Sequence, residues 1–314
     1  MKAFWPICDL SEKDEGMDRR GFLKDMALGS LIAGLGSKLM AQAPKAAGTP
    51  SLAIVQGDSP AKITTEAIAA LGGMNKFVAK ADVVMIKPNI GWDRTPEMAA
   101  CTNPEVVKAL VEMSLNAGAK KVVVMDNTTN QAQRCYARSG IQAAAKGAGA
   151  DVPFINPRRV KKMAIHGEWL KEWNVIQEFV EADKIINVPI AKHHSLCRVT
   201  LGMKNWLGAI GDPRNQLHQK LDQAEVDLAA FFKPVLTVLD AYRILIRNGP
   251  QGGRPSDTKL LKTVVAGADY VAVDALGATF FDIPPEELLF LKLASQKGLG
   301  EINLEKLRIE KRAI

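Results

Sequence analysis

Residues 103–127 read NPEVVKALVEMSLNAGAKKVVVMDN, and this stretch decides the fold. Asn103 is a capping-competent residue, and apolar positions recur with helical spacing over 104–115. The following run, Lys121-Val-Val-Val-Met125, is a short apolar strand. It ends in the polar pair Asp126-Asn127. A helix leading into a buried strand is half of a β-α-β unit, the building block of parallel sheets covered by helices on both faces.

The same alternation extends outward. Runs 51–56 and 81–87 read as strands, 137–146 as a helix and 152–155 as a short apolar run. Residues 156–173 are basic and irregular, which fits an antiparallel excursion or a lobe boundary. Beyond them, 184–190 reads as a strand, 199–210 and 223–232 as helices, 235–239 and 260–265 as strands, and 270–281 as a helix. Pro284-Pro285 opens a helix over 286–295, since proline suits a first helical turn, and 302–309 can pair as a last edge strand. With no repeat of solenoid period, the expectation is an α/β domain: a doubly wound, mostly parallel sheet with helices on both faces, divisible into two lobes.

The chain has 314 residues and a net charge of +7, long enough for a full core. Its first 43 residues carry six basic and six acidic side chains, so the whole excess belongs to the rest. A modest basic excess suits an anionic ligand, and no basic run interleaved with aromatics points to nucleic acid. Outside the N-terminal segment lie Cys101, Cys135 and Cys197. With no C-x-x-C pair, a self-contained iron–sulfur or zinc site is not expected, and at most one disulfide can form.

The N-terminal segment reads differently. Asp18-Arg19-Arg20-Gly21-Phe22-Leu23-Lys24 precedes a mildly apolar, Gly/Ala-rich run to Met40 and then Ala41-Gln42-Ala43. This resembles a twin-arginine signal peptide. The run is shorter than the ~20 apolar residues a membrane span needs, and Lys38 interrupts it. The expected organisation is a signal over 1–43, a linker over 44–50 and the α/β domain over 51–314. Pro44 would hinder a peptidase cutting after Ala43, so cleavage falls near Ala41 to Ala43 or is blocked. The expected location is periplasmic or otherwise extracytoplasmic, with the twin-arginine machinery as a partner and no stable membrane span.

In an open parallel sheet, ligands bind beyond the carboxyl ends of the strands. Four apolar runs end there in polar residues: Lys87 with Asn89, Asp126 with Asn127, Lys192-His193-His194, and Asp240. Each alone can merely cap a helix or solubilise a turn, whereas four together point to a site. In 192–208, a helix from Val199 would put Thr200, Lys204 and Gly208 on one face with Asn205 beside it. Ammonium, amide and hydroxyl groups near a helix start suit a carboxylate, a phosphate or an enolate-like oxygen. The adjacent His193 and His194 point to opposite sides of an extended segment, and His193 is taken as the cavity-facing acid, base or ligand. With Asp126 or Asp240 it could hold a divalent metal. The glycine-rich loop 247–254 lacks the order of a P-loop or a dinucleotide turn, though Gly249 and Gly252 could approach an anion. Asp269 can cap the helix of 270–281, and Asp274 within it can be buried and paired.

The motifs IKPN at 86–89, TNPEVVKAL followed by AGAKKVVVMDN, VPIAKHH continuing to VTLGMKNWLG, VLDAYRILIRNGPQGG, and AGADYVAVDALGA occur in this order. Together they resemble the bacterial and archaeal family known as domain of unknown function 362, from residue 51 to the end. The resemblance implies an α/β fold. It places motif positions at Lys87, Asn89, Asn103, Asp126, His193, Thr200, Lys204, Asn205, Asp240, Gly249, Pro250, Gly252 and Asp274. Some members are fused to ferredoxin-like iron–sulfur modules, whose cysteine runs this chain lacks. The layout is also similar, more faintly, to the catalytic domain of lactate racemases.

The leading expectation is an exported enzyme acting on a small anionic substrate. Lys87, Lys204 and Asn205 would stabilise developing negative charge while His193 or Asp126 moves the proton, and Asn89, Asn103, Thr200, Gly249 and Gly252 would bind substrate. The alternative is a ligand- or metallocofactor-binding accessory of an exported redox system, with a redox partner.

Overall fold

The computed structural model describes residues 51–314, so the signal and linker readings lie outside the described residues. The chain enters through β1 (Leu52–Gln56) and helix α1 (Pro60–Ala70), which Ser59 caps by accepting from the Lys62 N–H. It then forms β2 (Val83–Pro88), α2 (Pro104–Asn116) and β3 (Lys121–Val124). Asn103 caps α2 through the Glu105 N–H at 2.9 Å. The helix expected over 137–146 is two, α3 (Ala132–Arg138) and α4 (Ile141–Gly147), because Gly140 turns the backbone left-handed at φ 75° between them. Residues 152–155 form no strand; only a single bridge, Val123 to Asp151, extends the sheet there.

The basic excursion is a separate antiparallel hairpin, β4 (Val160–Ala164) and β5 (Glu172–Ile176). After α5 (Gln177–Glu181), the run expected as one strand is split by Pro189, which has no N–H to give the ladder, into β6 (Lys184–Val188) and β7 (Ile190–His194). A short β8 (Arg198–Thr200) folds back on β7, with Lys192 opposite Thr200. The helix expected over 199–210 is thus corrected: its first residues are strand, and only Lys204–Ala209 coil, as a 3-10 helix. There follow α6 (Leu221–Phe232), β9 (Leu236–Leu245), β10 (Thr258–Gly267), α7 (Tyr270–Thr279), α8 (Leu289–Gln296) and the edge strand β11 (Ile309–Ala313), which lies beyond most of the expected 302–309.

The nine-stranded sheet runs β11-β1-β10-β9-β6-β2-β3, with β7 continuing beside β9 and β8 beside β7. Five of its eight pairings are parallel, so it is a mixed, mostly parallel sheet. Period-2 alternation divides each strand between two cores. Val84 and Ile86, Val122 and Val124, Ile186 and Val188 pack with α1, α2 and α4. Met85, Val123, Ile185 and Leu239 pack with α5, α6, α7 and α8 on the other face. This is the expected doubly wound α/β arrangement. Residues 51–314 fall in one unit, without a division into two lobes.

Candidate functional site

The site begins as a row of polar residues in the second face. Lys87 on β2 lies in register with Asn187 on β6, and Asn187 with Thr237 on β9. All three share strand parity with Met85, Ile185 and Leu239, and all are buried. Over this row lies the 3-10 helix Lys204–Ala209, held by the carboxylate of Asp274 on α7. Asp274 accepts from the Gly202 N–H at 2.6 Å and the Met203 N–H at 2.8 Å. Asp274 is therefore buried and paired as expected, and burial pushes its carboxyl up to about 7.

Lys87 Nζ sits 2.7 Å from Asp126 Oδ1, an ion pair with both side chains buried. Burial disfavours both charges, lowering the lysine and raising the carboxyl, and each group opposes the other's shift. The remaining valences are filled. Asp126 accepts from the Ile90 N–H at 2.6 Å, and Lys87 donates to Asn205 Oδ1 at 2.9 Å and to the Pro88 carbonyl at 3.0 Å. Asn205 also accepts from Asn89 Nδ2 and donates to Asn187 Oδ1. A Cβ on Gly208 would collide with Asp126 Oδ1 and Lys87 Nζ. That close approach requires glycine at position 208.

Beside this network opens a cavity of about 620 Å³ lined by Lys87, Lys192, Lys204, Arg214, His194 and His218, among others. Arg214 does not face a ligand freely, since it donates to the carbonyls of Asn127 and Thr128 and so clamps the Asp126 loop. Lys204 Nζ and Thr200 Oγ1 are buried on the cavity wall without a hydrogen-bond partner. The nearest carboxylate oxygen to Lys204 is Glu225 Oε1, at 3.7 Å. Burial pushes the Glu225 carboxyl up to about 8 against the pull of Lys204. At 3.7 Å this carboxyl lies beyond hydrogen-bond reach of the Lys204 amine, which leaves room for a further acceptor.

The two cavity histidines are complementary. His194 Nδ1 accepts from the Leu196 N–H at 3.1 Å, so the neutral ring carries its proton on Nε2 and presents a donor. Burial, with Lys204 and Lys192 adding to it, lowers this group to about 3, which keeps the ring neutral. His218 Nδ1 lies 3.1 Å from the Asn215 carbonyl, a partner that fixes its proton on Nδ1 and leaves Nε2 as an acceptor. Burial and Lys204 also lower His218. The rings are stacked with centroids 6.5 Å apart.

The expected site residues divide accordingly. Lys87, Asn89, Asp126, Thr200, Lys204 and Asn205 line one cavity. His193 does not. Alternation along β7 sends Lys192 and His194 to the cavity and His193 the other way, where its Nδ1 accepts from the Gly249 N–H at 3.1 Å. Gly249 packs so tightly on the His193 carbonyl that a Cβ would overlap it, and Gly252 has φ +65°. These glycines brace a loop, and only Pro250 of it reaches the cavity. Asp240 is spent on the Asn103 and Tyr242 N–H groups, and burial pushes its carboxyl up to about 6. Asn103 and Asp240 thus fix α2 to β9, and neither lines the cavity.

Of the residues expected to hold a divalent metal, Asp240 accepts from the Asn103 and Tyr242 N–H groups and His193 accepts from the Gly249 N–H through Nδ1. Among the described residues no three His, Cys, Asp or Glu side chains converge as ligands. Cys101, Cys135 and Cys197 are free thiols, and burial pushes Cys101 and Cys197 up to about 12. Lys192 stands among the polar strand ends of the sequence but was given no role there, although it lies two residues from His194 on a strand. His218, Glu225 and Asn187 lie where no pattern marked a site.

The family model described as Domain of unknown function (DUF362) matches residues 84–279, a span containing every cavity residue named above. The chain is 27% identical over 238 residues to a thylakoid-associated protein of Synechocystis sp., covering 73% of this chain and 72% of that one. Its structure is similar, with a TM-score of 0.44 and 11% identity, to the lactate racemase apoprotein from Thermoanaerobacterium thermosaccharolyticum, covering 72% of this chain and 56% of that chain.

Proposed function

The chain belongs to the Domain of unknown function (DUF362) family, a membership that names no reaction, and from its cavity we propose an enzyme that acts on a small carboxylate- or phosphate-bearing substrate by acid–base chemistry. The observation that carries this reading is the buried pair Lys204 Nζ and Thr200 Oγ1, both without a hydrogen-bond partner on the cavity wall. A buried amine with only a carboxyl oxygen at 3.7 Å, and a buried hydroxyl without an acceptor, cost stability unless a ligand supplies a hydrogen bond. A bound oxyanion would accept from both. His194 Nε2–H would then donate to an oxygen on which charge develops, and His218 Nε2 would take up a proton. Lys87, Asp126, Asn205 and Asn89 act as a rigid floor, since their polar atoms are already engaged with one another. The twin arginines Arg19-Arg20 support export as part of the same proposal.

The test is thermal unfolding of the purified protein with inorganic phosphate, pyruvate, lactate and citrate. A ligand at about a hundredfold its Kd stabilises by about 2.7 kcal/mol, worth several degrees in Tm for a domain of this size. At least one anion is expected to do so in wild type and to lose most of the effect in Lys204→Ala. If every anion leaves Tm unchanged, the proposal is wrong.

A further inference from the structure

Three lysines reach this cavity, and their partners differ in kind. Lys87 has Asp126 at 2.7 Å and Lys204 has Glu225 at 3.7 Å. Lys192 is equally buried, at 1% exposure, yet among the described residues no carboxylate lies within 4.0 Å of its Nζ. Its hydrogen bonds go to neutral acceptors, the Ala100 carbonyl at 2.6 Å and Asn89 Oδ1 at 3.1 Å. Both of these tolerate an uncharged amine as donor. Burial pushes Lys192 down to about 8, and Lys87 and Lys204 add to that, outweighed in part by Cys101 and Asp126. An amine without a countercharge, out of water and beside other cations, is the arrangement that makes a lysine a nucleophile. The fold also sets its neighbour, because Lys192 and Thr200 are cross-strand partners on β7 and β8. The amine therefore stands next to the groups assigned to the anion.

We propose that Lys192 is a covalent catalyst whose free amine forms a Schiff base with the carbonyl carbon of a 2-oxo carboxylate held through its carboxylate by Lys204 and Thr200. This rests on the anion-site reading and narrows the substrate class. The amine lone pair forms the N–C bond while the carbonyl π pair moves to oxygen, and one proton passes from nitrogen to that oxygen to give the carbinolamine. The hydroxyl then takes a second proton, the one the ammonium released on becoming nucleophilic, and leaves as water as the nitrogen lone pair forms C=N. The sum is ammonium plus carbonyl giving iminium plus water, with no external oxidant or reductant. The iminium draws electrons from the adjacent carbon, whose proton His218 is placed to take.

The experiment treats the purified full chain with pyruvate, glyoxylate or 2-oxoglutarate and sodium cyanoborohydride, followed by intact mass and peptide mapping. With pyruvate the expected result is one adduct per chain, heavier by pyruvic acid less one oxygen, on Lys192. It should saturate with pyruvate, be absent in Lys192→Arg, and form at a rate that climbs with pH and levels off above about pH 8. Mapping the wild-type adduct locates the lysine even if the variant does not fold. If one of the oxo acids stabilises the protein but the adduct is missing, lies on Lys87 or Lys204, or spreads unsaturably over surface lysines, the Schiff-base role is overturned and the anion site stands. Should no anion stabilise the protein and no adduct form, both fall together.

Discussion

Asp126 shows what a buried charge demands at the scale of one residue. Its carboxylate has Lys87 as countercharge and the Ile90 N–H as donor, so Asp126→Asn would leave a buried ammonium unpaired. The expected cost is about 3–5 kcal/mol in urea unfolding. The double replacement Lys87→Met with Asp126→Leu is expected to lose less than the single one, because it removes both desolvated charges. A single variant as stable as wild type would mean the pair is not buried as described. Lys87, Asp126, Thr200, Lys204 and Asn205 were legible in the sequence because strand ends and short spacings marked them. The cavity holds His194 where His193 was expected, and alternation gives the reason: residues two apart on a strand face the same side, so His194 follows Lys192. Arg214 and His218, brought to the cavity by the 3-10 turn Arg214–Lys220, and Glu225, set beside Lys204 by α6, carried no such mark, since their placement depends on tertiary packing.

At the scale of the element, the segment between β8 and α6 holds the site in place although it is not the helix its apolar spacing predicts. Asp274 replaces the missing helical hydrogen bonds by accepting two backbone N–H groups, a contact made across 72 residues of sequence that local periodicity cannot reveal. Because burial raises Asp274 to about 7 from the ordinary 3.8, the native state holds a proton that the unfolded chain has released over that range. Its contribution to stability is fully present below about pH 4 and declines as pH rises through 7. Asp274→Asn keeps one acceptor, so it is expected to cost about 1–3 kcal/mol and to flatten this part of the pH dependence relative to wild type. Urea unfolding of both proteins at pH 4, 5.5 and 7.5 checks this; parallel curves would contradict it. The strands and α2 were legible because burial on both faces produces long apolar runs. The breaks at Pro189 and Gly140 were visible as residues, but only the structure shows the elements they divide.

For the whole molecule, the α/β class followed from the alternation of runs and a last edge strand was expected, while the antiparallel insertion of β10 and the pairing of β11 with β1 were not legible, since strand order has no local signature. Among the described residues no helix is long and apolar enough to cross a membrane. The proposed export is tested at the N-terminal arginines: Arg19→Lys with Arg20→Lys is expected to leave the protein in the cytoplasm on fractionation, and an unchanged distribution would reject the signal. The edge pairing has a kinetic corollary. Leu52 on the first strand aligns with Gly267 and with Ile309, so the sheet cannot close until nearly all of the described chain has left the ribosome. Such remote pairings make for slow acquisition of structure, and a nascent chain would spend that interval with an uncovered strand edge, open to chaperones and to aggregation alike.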